Sequence, residues 1–168
     1  MEIRDPAVTD LTTADLAAAL ALNNAAVPAL NELDETELAR LFASAVHALA
    51  VASPDGDALA GFCLAFAPGA AYESLNYRWF SERYESFTYL DRIVVDPSRR
   101  GGGIGAALYA ELERRIAGST PWLLCEVNVR PLNAGSLRFH HRIGFAEVGQ
   151  QDTDGGRKTV SLLAKPLR

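Results

Sequence analysis

Apolar side chains recur along this chain with two periods, and the switches between them mark its elements. Thr12 or Thr13 opens a predicted helix that runs to about Leu22, and Pro28 separates it from a second. Asp34, with Glu37 three residues on, gives the second helix a capping-box start. Within it Leu38, Leu41, Phe42 and Ala45 fall at i, i+3, i+4 and i+7 and define one buried face. His47–Ser53 and Leu59–Ala67 read as the strands of a hairpin around the turn PDGD. Phe87–Val95 reads as a strand ended by Asp96-Pro97. Ile104, Leu108, Leu112 and Ile116 share one helical face, which Gly118 stops. Trp122–Val129 is a further strand. Pro131 and Asn133 open a short helix to about Ile143, with Gly144 as its stop. Phe145–Gly149 and Thr159–Ala164 read as closing strands around DTDGG, and Glu2–Arg4 as a short first strand. This order predicts an α/β fold in one domain, residues 1–168, with a mixed central sheet of about six to seven strands and about four flanking helices.

One segment keeps neither period. GAAYESLNYRWFSERYESF, residues 69 to 87, is polar and aromatic together, and four of the five tyrosines lie between positions 72 and 89. So aromatic a segment is either a ligand wall or interface, or a helical excursion packed on its own core.

Composition narrows the function classes. A chain of 168 residues can bury a real core without staples. Its net charge of −5 lacks the basic footprint of a nucleic-acid binder, and mild acidity is compatible with a cationic substrate such as an amine. Cys63 and Cys125 lie in the apolar runs GFCLAF and WLLCEV without metal-type spacing. They read as buried thiols of a reduced, cytoplasmic protein, with no metal expected. The N-terminus shows no signal-peptide pattern. The longest apolar run, 41 to 53, is too short for a membrane span and carries His47.

The stretch RRGGGIGAAL, residues 99 to 108, carries the clearest chemistry. A Walker loop needs a lysine after its glycines, and none follows. Gly101, Gly103 and Ala106 satisfy the dinucleotide pattern GxGxxA, with Glu126 at the place of a ribose-binding acid. Against that reading, DPSRR separates the strand from the glycines, and no second βαβ unit follows. Arg100 to Gly105 also fits [QR]xxGx[GA] between a strand and a helix. Glycines there let successive N–H groups turn toward one anion, and the helix N-terminus adds its own positive end. The ligand this suits is a pyrophosphate, to which Arg99 and Arg100 can add charge.

The segment YLDRIVVDPSRRGGGIGAALYAELE resembles motif A of the GCN5-related N-acetyltransferases (GNAT). NAGSLRFHHRIGF resembles their motif B, usually NxxAxxxYxxxGF. The match covers about residues 89 to 145, with both motifs in order. The resemblance implies a GNAT-like fold with a splayed slot in the sheet for acetyl-CoA, and acetyl transfer to an amine. It implies that the backbone of Arg100, Gly101, Gly102, Gly103, Ile104, Gly105 and Ala106 cradles the pyrophosphate. Ile93, Val94 and Val95 would pair with the pantetheine arm, the N–H near Val94 or Val95 being the oxyanion donor. Asn133 and Ser136 hold motif B positions that touch the cofactor.

Such chemistry needs a base, because deprotonating an alkyl amine of pKa about 10 at neutral pH costs roughly 4 kcal/mol. It also needs oxyanion donors and a proton for the leaving thiolate. By resemblance Glu126, in CEVN, is the first candidate base and Asp91 its rival; each also reads as a strand carboxylate paired with an arginine. The motif B tyrosine is replaced by His140, which is either the acid or a packing residue; in the second case Tyr84 or Tyr89 substitutes, or no acid is used. Tyr72, Tyr77, Trp79 and Tyr84 are expected to shape the acceptor pocket, which suits an amine with an apolar body. The expected acceptor is a small amine, an amino acid or a peptide N-terminus, with neither nucleic acid nor membrane as partner. A homodimer is compatible with such a domain. The alternative is a non-catalytic acyl-CoA-binding module, which the missing tyrosine keeps open.

Overall fold

The computed structural model describes residues 5–167, so the strand expected over Glu2–Arg4 lies outside the described residues. Seven strands form a mixed sheet: Thr9–Asp10 (β1), His47–Ala52 (β2), Leu59–Phe66 (β3), Thr88–Val95 (β4), Trp122–Arg130 (β5), Ala146–Thr153 (β6) and Lys158–Pro166 (β7). Among the described residues five α-helices accompany them: Leu16–Ala25 (α1), Glu35–Ser44 (α2), Leu75–Ser81 (α3), Ile104–Ile116 (α4) and Ala134–Arg142 (α5). The chain divides into two compact units. One takes the chain through Ala65 together with Arg92–Ile116; the other holds Phe66–Asp91 and the chain from Ala117. None of the described helices is long and apolar enough to cross a membrane.

In the first unit the strand order is β1-β2-β3, then the second half of β4. β1 and β2 run antiparallel with Thr9 opposite Ala50, as do β2 and β3 with His47 opposite Ala65. Every residue of β3 is buried, which is why its sequence reads as a continuous apolar run rather than an alternation. Phe62, Leu64 and Val94 join Leu11, Leu22 and Leu38 in one core. Each large side chain so buried is worth about 1.5–3 kcal/mol. The capping box of α2 is formed as its sequence predicts: Glu37 N–H donates to Asp34 Oδ1, and Asp34 N–H to Glu37 Oε2, both at 2.8 Å. α1 runs past the predicted end at Leu22 because Asn23 and Asn24 find partners there. Asn23, fully buried, donates to the Asn31 carbonyl at 3.0 Å and accepts from Arg92 Nη1 at 2.8 Å. Asn24 exchanges two bonds with the backbone of Leu33, at 2.9 and 3.0 Å. Two residues with weak helix propensity are thus held by the connection to α2.

In the second unit the order is the first half of β4, then β5-β7-β6. β4 and β5 are parallel, with Thr88 opposite Leu123 and Tyr89 opposite Leu124, a short register for strands of eight and nine residues. β7 runs antiparallel to both β5 and β6. β6 extends to Thr153, four residues past the predicted end at Gly149, because its pairing with β7 continues to Thr153 opposite Lys158. It is the last strand of the sheet and polar, so its sequence carries little strand signal. The helix missing from the expected four is α3. Ser74 caps it by accepting from Tyr77 N–H at 3.0 Å, and over its seven residues it buries only Tyr77 and Phe80. So short a helix leaves no period to read.

Candidate active site

In the first unit the loop after β4 is tied down before the glycines begin. Asp96 N–H donates to Ala60 O at 2.8 Å, and Asp96 Oδ1 accepts from Ser98 N–H and Oγ–H, both at 2.9 Å. Those bonds hold the Asp96 carboxyl below its ordinary range. Arg99 Nη2 donates to Asp55 at 2.6 Å and Ser53 at 3.1 Å, so that guanidinium is tied to the β2–β3 hairpin. Gly101 and Gly103 take φ of +83° and +80°, conformations L side chains rarely adopt, and a Cβ at either would point into open space. The first intrahelical bond of α4 is Ala107 N–H to Gly103 O at 2.9 Å, so the N–H groups from Gly103 to Ala106 precede it. Ser98 to Gly102 border a cleft of about 640 Å³ whose other walls include Val51, Pro54, Ala60 and Ile104. Backbone donors at a helix start beside Arg100 match the chemistry of a pyrophosphate. Ile93, Val94 and Val95 complete β4, with Val94 in the core and its two neighbours half-buried.

In the second unit two carboxylates and two tyrosines gather. Strand alternation puts Tyr89 and Asp91 on one face of β4. Tyr89 Oη donates to Glu126, lying 2.8 Å from Oε1 and 2.7 Å from Oε2. Tyr72 Oη donates to Asp91 Oδ1. Tyr89 is fully buried, whereas Tyr72, Asp91 and Glu126 are half-buried. Burial first, then the Glu126 charge, pushes the Tyr89 hydroxyl well above its usual pKa. Burial and the Asp91 charge do the same to Tyr72, with Glu126 adding to it. Both hydroxyls are therefore protonated donors at neutral pH.

The other aromatic residues of the 69–87 segment pack within this unit. Tyr77 is buried; its hydroxyl donates to Ala67 O at 2.6 Å and accepts from Ala70 N–H at 3.0 Å. Trp79 lies under the Arg83 guanidinium, 3.9 Å from its centroid, with its ring against Gly149 of β6. Tyr84 meets Trp122 edge-on at 5.4 Å. Of the four aromatic candidates, Tyr72 is the one whose hydroxyl reaches a carboxylate of the cluster.

Motif B forms α5. Asn133 caps it, accepting from Ser136 N–H at 3.3 Å. His140 is buried, with Nδ1 2.7 Å from Ser136 O and 3.3 Å from Ser136 Oγ. A carbonyl only accepts, so Nδ1 carries the hydrogen. Burial holds the imidazole below its ordinary pKa, the Ser136 carbonyl opposing and His141 adding to the shift. The ring packs edge-on to Phe139 and Phe145 at 5.3 and 5.4 Å.

The model of the acetyltransferase (GNAT) family matches residues 18–145. The chain belongs to that family. Its fold is shared by several solved GNAT structures. Arabidopsis thaliana NAA60 in complex with a bisubstrate analogue is 19% identical with a TM-score of 0.76, over 96% of this chain and 98% of its own. The ribosomal-protein-S18-alanine N-acetyltransferase of Escherichia coli is 23% identical, TM-score 0.67, over 96% and 93%. A phosphinothricin acetyltransferase (Pat) of Sinorhizobium meliloti, solved with acetyl-CoA, is 20% identical, TM-score 0.72, over 98% and 89%. At these identities the likeness is one of fold. No curated protein matches the GNAT chain by sequence.

Tyr89 as the partner of Glu126 was missed by sequence reasoning, because only the register of the parallel pairing fixes the match. Gly61 was also missed. A Cβ there would stand 2.8 Å from Ile104 Cγ2 and 3.0 Å from Val94 O, so this glycine lets the start of α4 close onto β3. A lone glycine inside an apolar strand is the signal that marks such an approach.

Proposed function

We propose that this GNAT chain works as one acetyl-CoA-dependent N-acetyltransferase domain on a primary amine: a small amine, an amino acid or a peptide N-terminus. The observation that carries the reading is Glu126, half-buried and held at both oxygens by Tyr89, on the strand paired with β4. The backbone from Arg100 to Ala106 holds the pyrophosphate, and Ile93 to Val95 meet the pantetheine arm. Asp96 N–H points to β3, so alternation along the strand turns the Val95 N–H the other way. That group is our choice of donor to the thioester oxygen. When bound, acetyl-CoA supplies the activated carbonyl that the amine attacks.

Glu126 takes the proton of the incoming ammonium, Tyr89 keeps its carboxylate aimed, and the leaving CoA thiolate takes its proton from solvent. Asp91 supplies a second negative charge. His140 seats α5 rather than donating a proton: its hydrogen is on Nδ1 and committed to Ser136, and burial opposes the imidazolium that would carry one on Nε2. Asn133 acts through its cap on the same helix. The two free, buried cysteines support a reduced, cytoplasmic setting.

Thiol release from acetyl-CoA against a panel of primary amines tests the reaction. Glu126→Gln is expected to lower kcat by about 10²–10⁴ while acetyl-CoA affinity is kept. If no amine accelerates release, the chain is an acyl-CoA-binding module. A full rate in Glu126→Gln removes that residue from the role of base.

A further inference from the structure

The segment between β3 and α3 has no regular structure, yet Tyr72 on it is held from several sides. Its ring stacks face to face on Phe66, with centroids 4.4 Å apart and planes 4° from parallel. Tyr77 meets it edge-on at 5.4 Å, while the Tyr77 hydroxyl staples the segment through Ala67 and Ala70. Tyr72 N–H donates to Ala70 O at 2.8 Å. Ordering a loop tyrosine this way costs conformational entropy, and packing alone would be served by phenylalanine. What the hydroxyl adds is its bond to Asp91, with Ser74 as a second side-chain partner.

Asp91 and Glu126 both act on the Tyr72 hydroxyl and both on Tyr89, so the two carboxylates share one electrostatic neighbourhood. A cation placed there is attracted by both. Tyr89 is buried, whereas Tyr72, Asp91 and Glu126 are half-buried. Tyr72 is engaged by Ser74 as well as by Asp91, so the acceptors here are the two carboxylates, each of which accepts at both oxygens. A primary ammonium, with three N–H donors, matches that set.

We propose that Tyr72 is a positioning residue for acceptor recognition: it fixes Asp91 so that the carboxylate receives the acceptor's ammonium, while Glu126 on Tyr89 does the proton transfer. This rests on the acetyltransferase reading above. It divides the labour between the two carboxylates and makes the acceptor one that arrives protonated.

The test uses Tyr72→Phe, which keeps the ring and its stack on Phe66, with Asp91→Asn and the double variant. For the best primary amine of the panel, KM rises about tenfold in Tyr72→Phe, as expected for a lost bond to a charged group. Asp91→Asn raises it at least as much, and the double variant matches Asp91→Asn because Tyr72 acts through Asp91. kcat and acetyl-CoA affinity stay within about twofold, which a general loss of structure would not allow. Calorimetric binding of the same amine to the CoA-loaded protein weakens in parallel. An unchanged KM in Tyr72→Phe, a loss confined to kcat, or additive effects in the double variant overturns the proposal and leaves the acetyltransferase reading standing. Absence of thiol release with every amine overturns both.

Discussion

At the scale of single residues, buried ionisable groups tie chemistry to stability. His140 is neutral in the fold, held below its ordinary value of 6.5 chiefly by burial. Its contribution is full above about pH 6.5, where the unfolded chain is neutral too. As pH falls the unfolded state takes up a proton that the native state resists, so stability declines through the depressed native pKa. Half-buried His47 is shifted in the same direction, by burial and then by Arg115. The melting temperature is therefore expected to fall on acidification from pH 7 to 5, and less steeply in His140→Gln. Equal slopes in the two proteins would show that His140 is not the group responsible. Cys63 answers to the same physics: burial pushes its thiol up to about 12, which makes it the inert core thiol that its apolar neighbours suggested. The Tyr89–Glu126 bond was not legible in this way, because it joins residues 37 positions apart whose meeting depends on strand register.

At the scale of elements, the glycine loop and α4 were read with almost correct boundaries, since periodicity and stop signals are local. What seats α4 is not local. Gly61 lies in β3, and a methyl there would push Ile104 and crowd the Val94 carbonyl. Gly61→Ala is expected to cost about 1–3 kcal/mol by overpacking. It should also weaken acetyl-CoA binding, because Ile104 begins the helix that follows the loop. Thermal unfolding with calorimetric titration of acetyl-CoA checks both effects. Loss of stability with unchanged affinity would mean that the loop does not depend on that contact. α3 and the end of β6 were illegible for the opposite reason. One is too short to show a period, and the other is polar and defined by its pairing with β7.

At the scale of the whole molecule, a ligand that binds only the native state stabilises it by mass action. Acetyl-CoA at 100 times its Kd should add about 2.7 kcal/mol, which raises Tm by roughly 5–10 °C for a chain of this size. NAD should add nothing. Stabilisation by NAD with none by acetyl-CoA would restore the dinucleotide reading of the same glycines. The sequence by itself determined the family, the order of nearly all elements and the place of the glycine loop. Those depend on local spacing: glycines that tolerate positive φ, a helix start that follows them, and apolar periods of two and 3.6. Only the tertiary structure decided which carboxylate meets which tyrosine, and that His140 gives its hydrogen to Ser136. It also buried Tyr77 and laid Trp79 against Gly149, while placing Tyr72 on Asp91. Those outcomes depend on strand register and burial, which bring distant residues together and which no local pattern encodes.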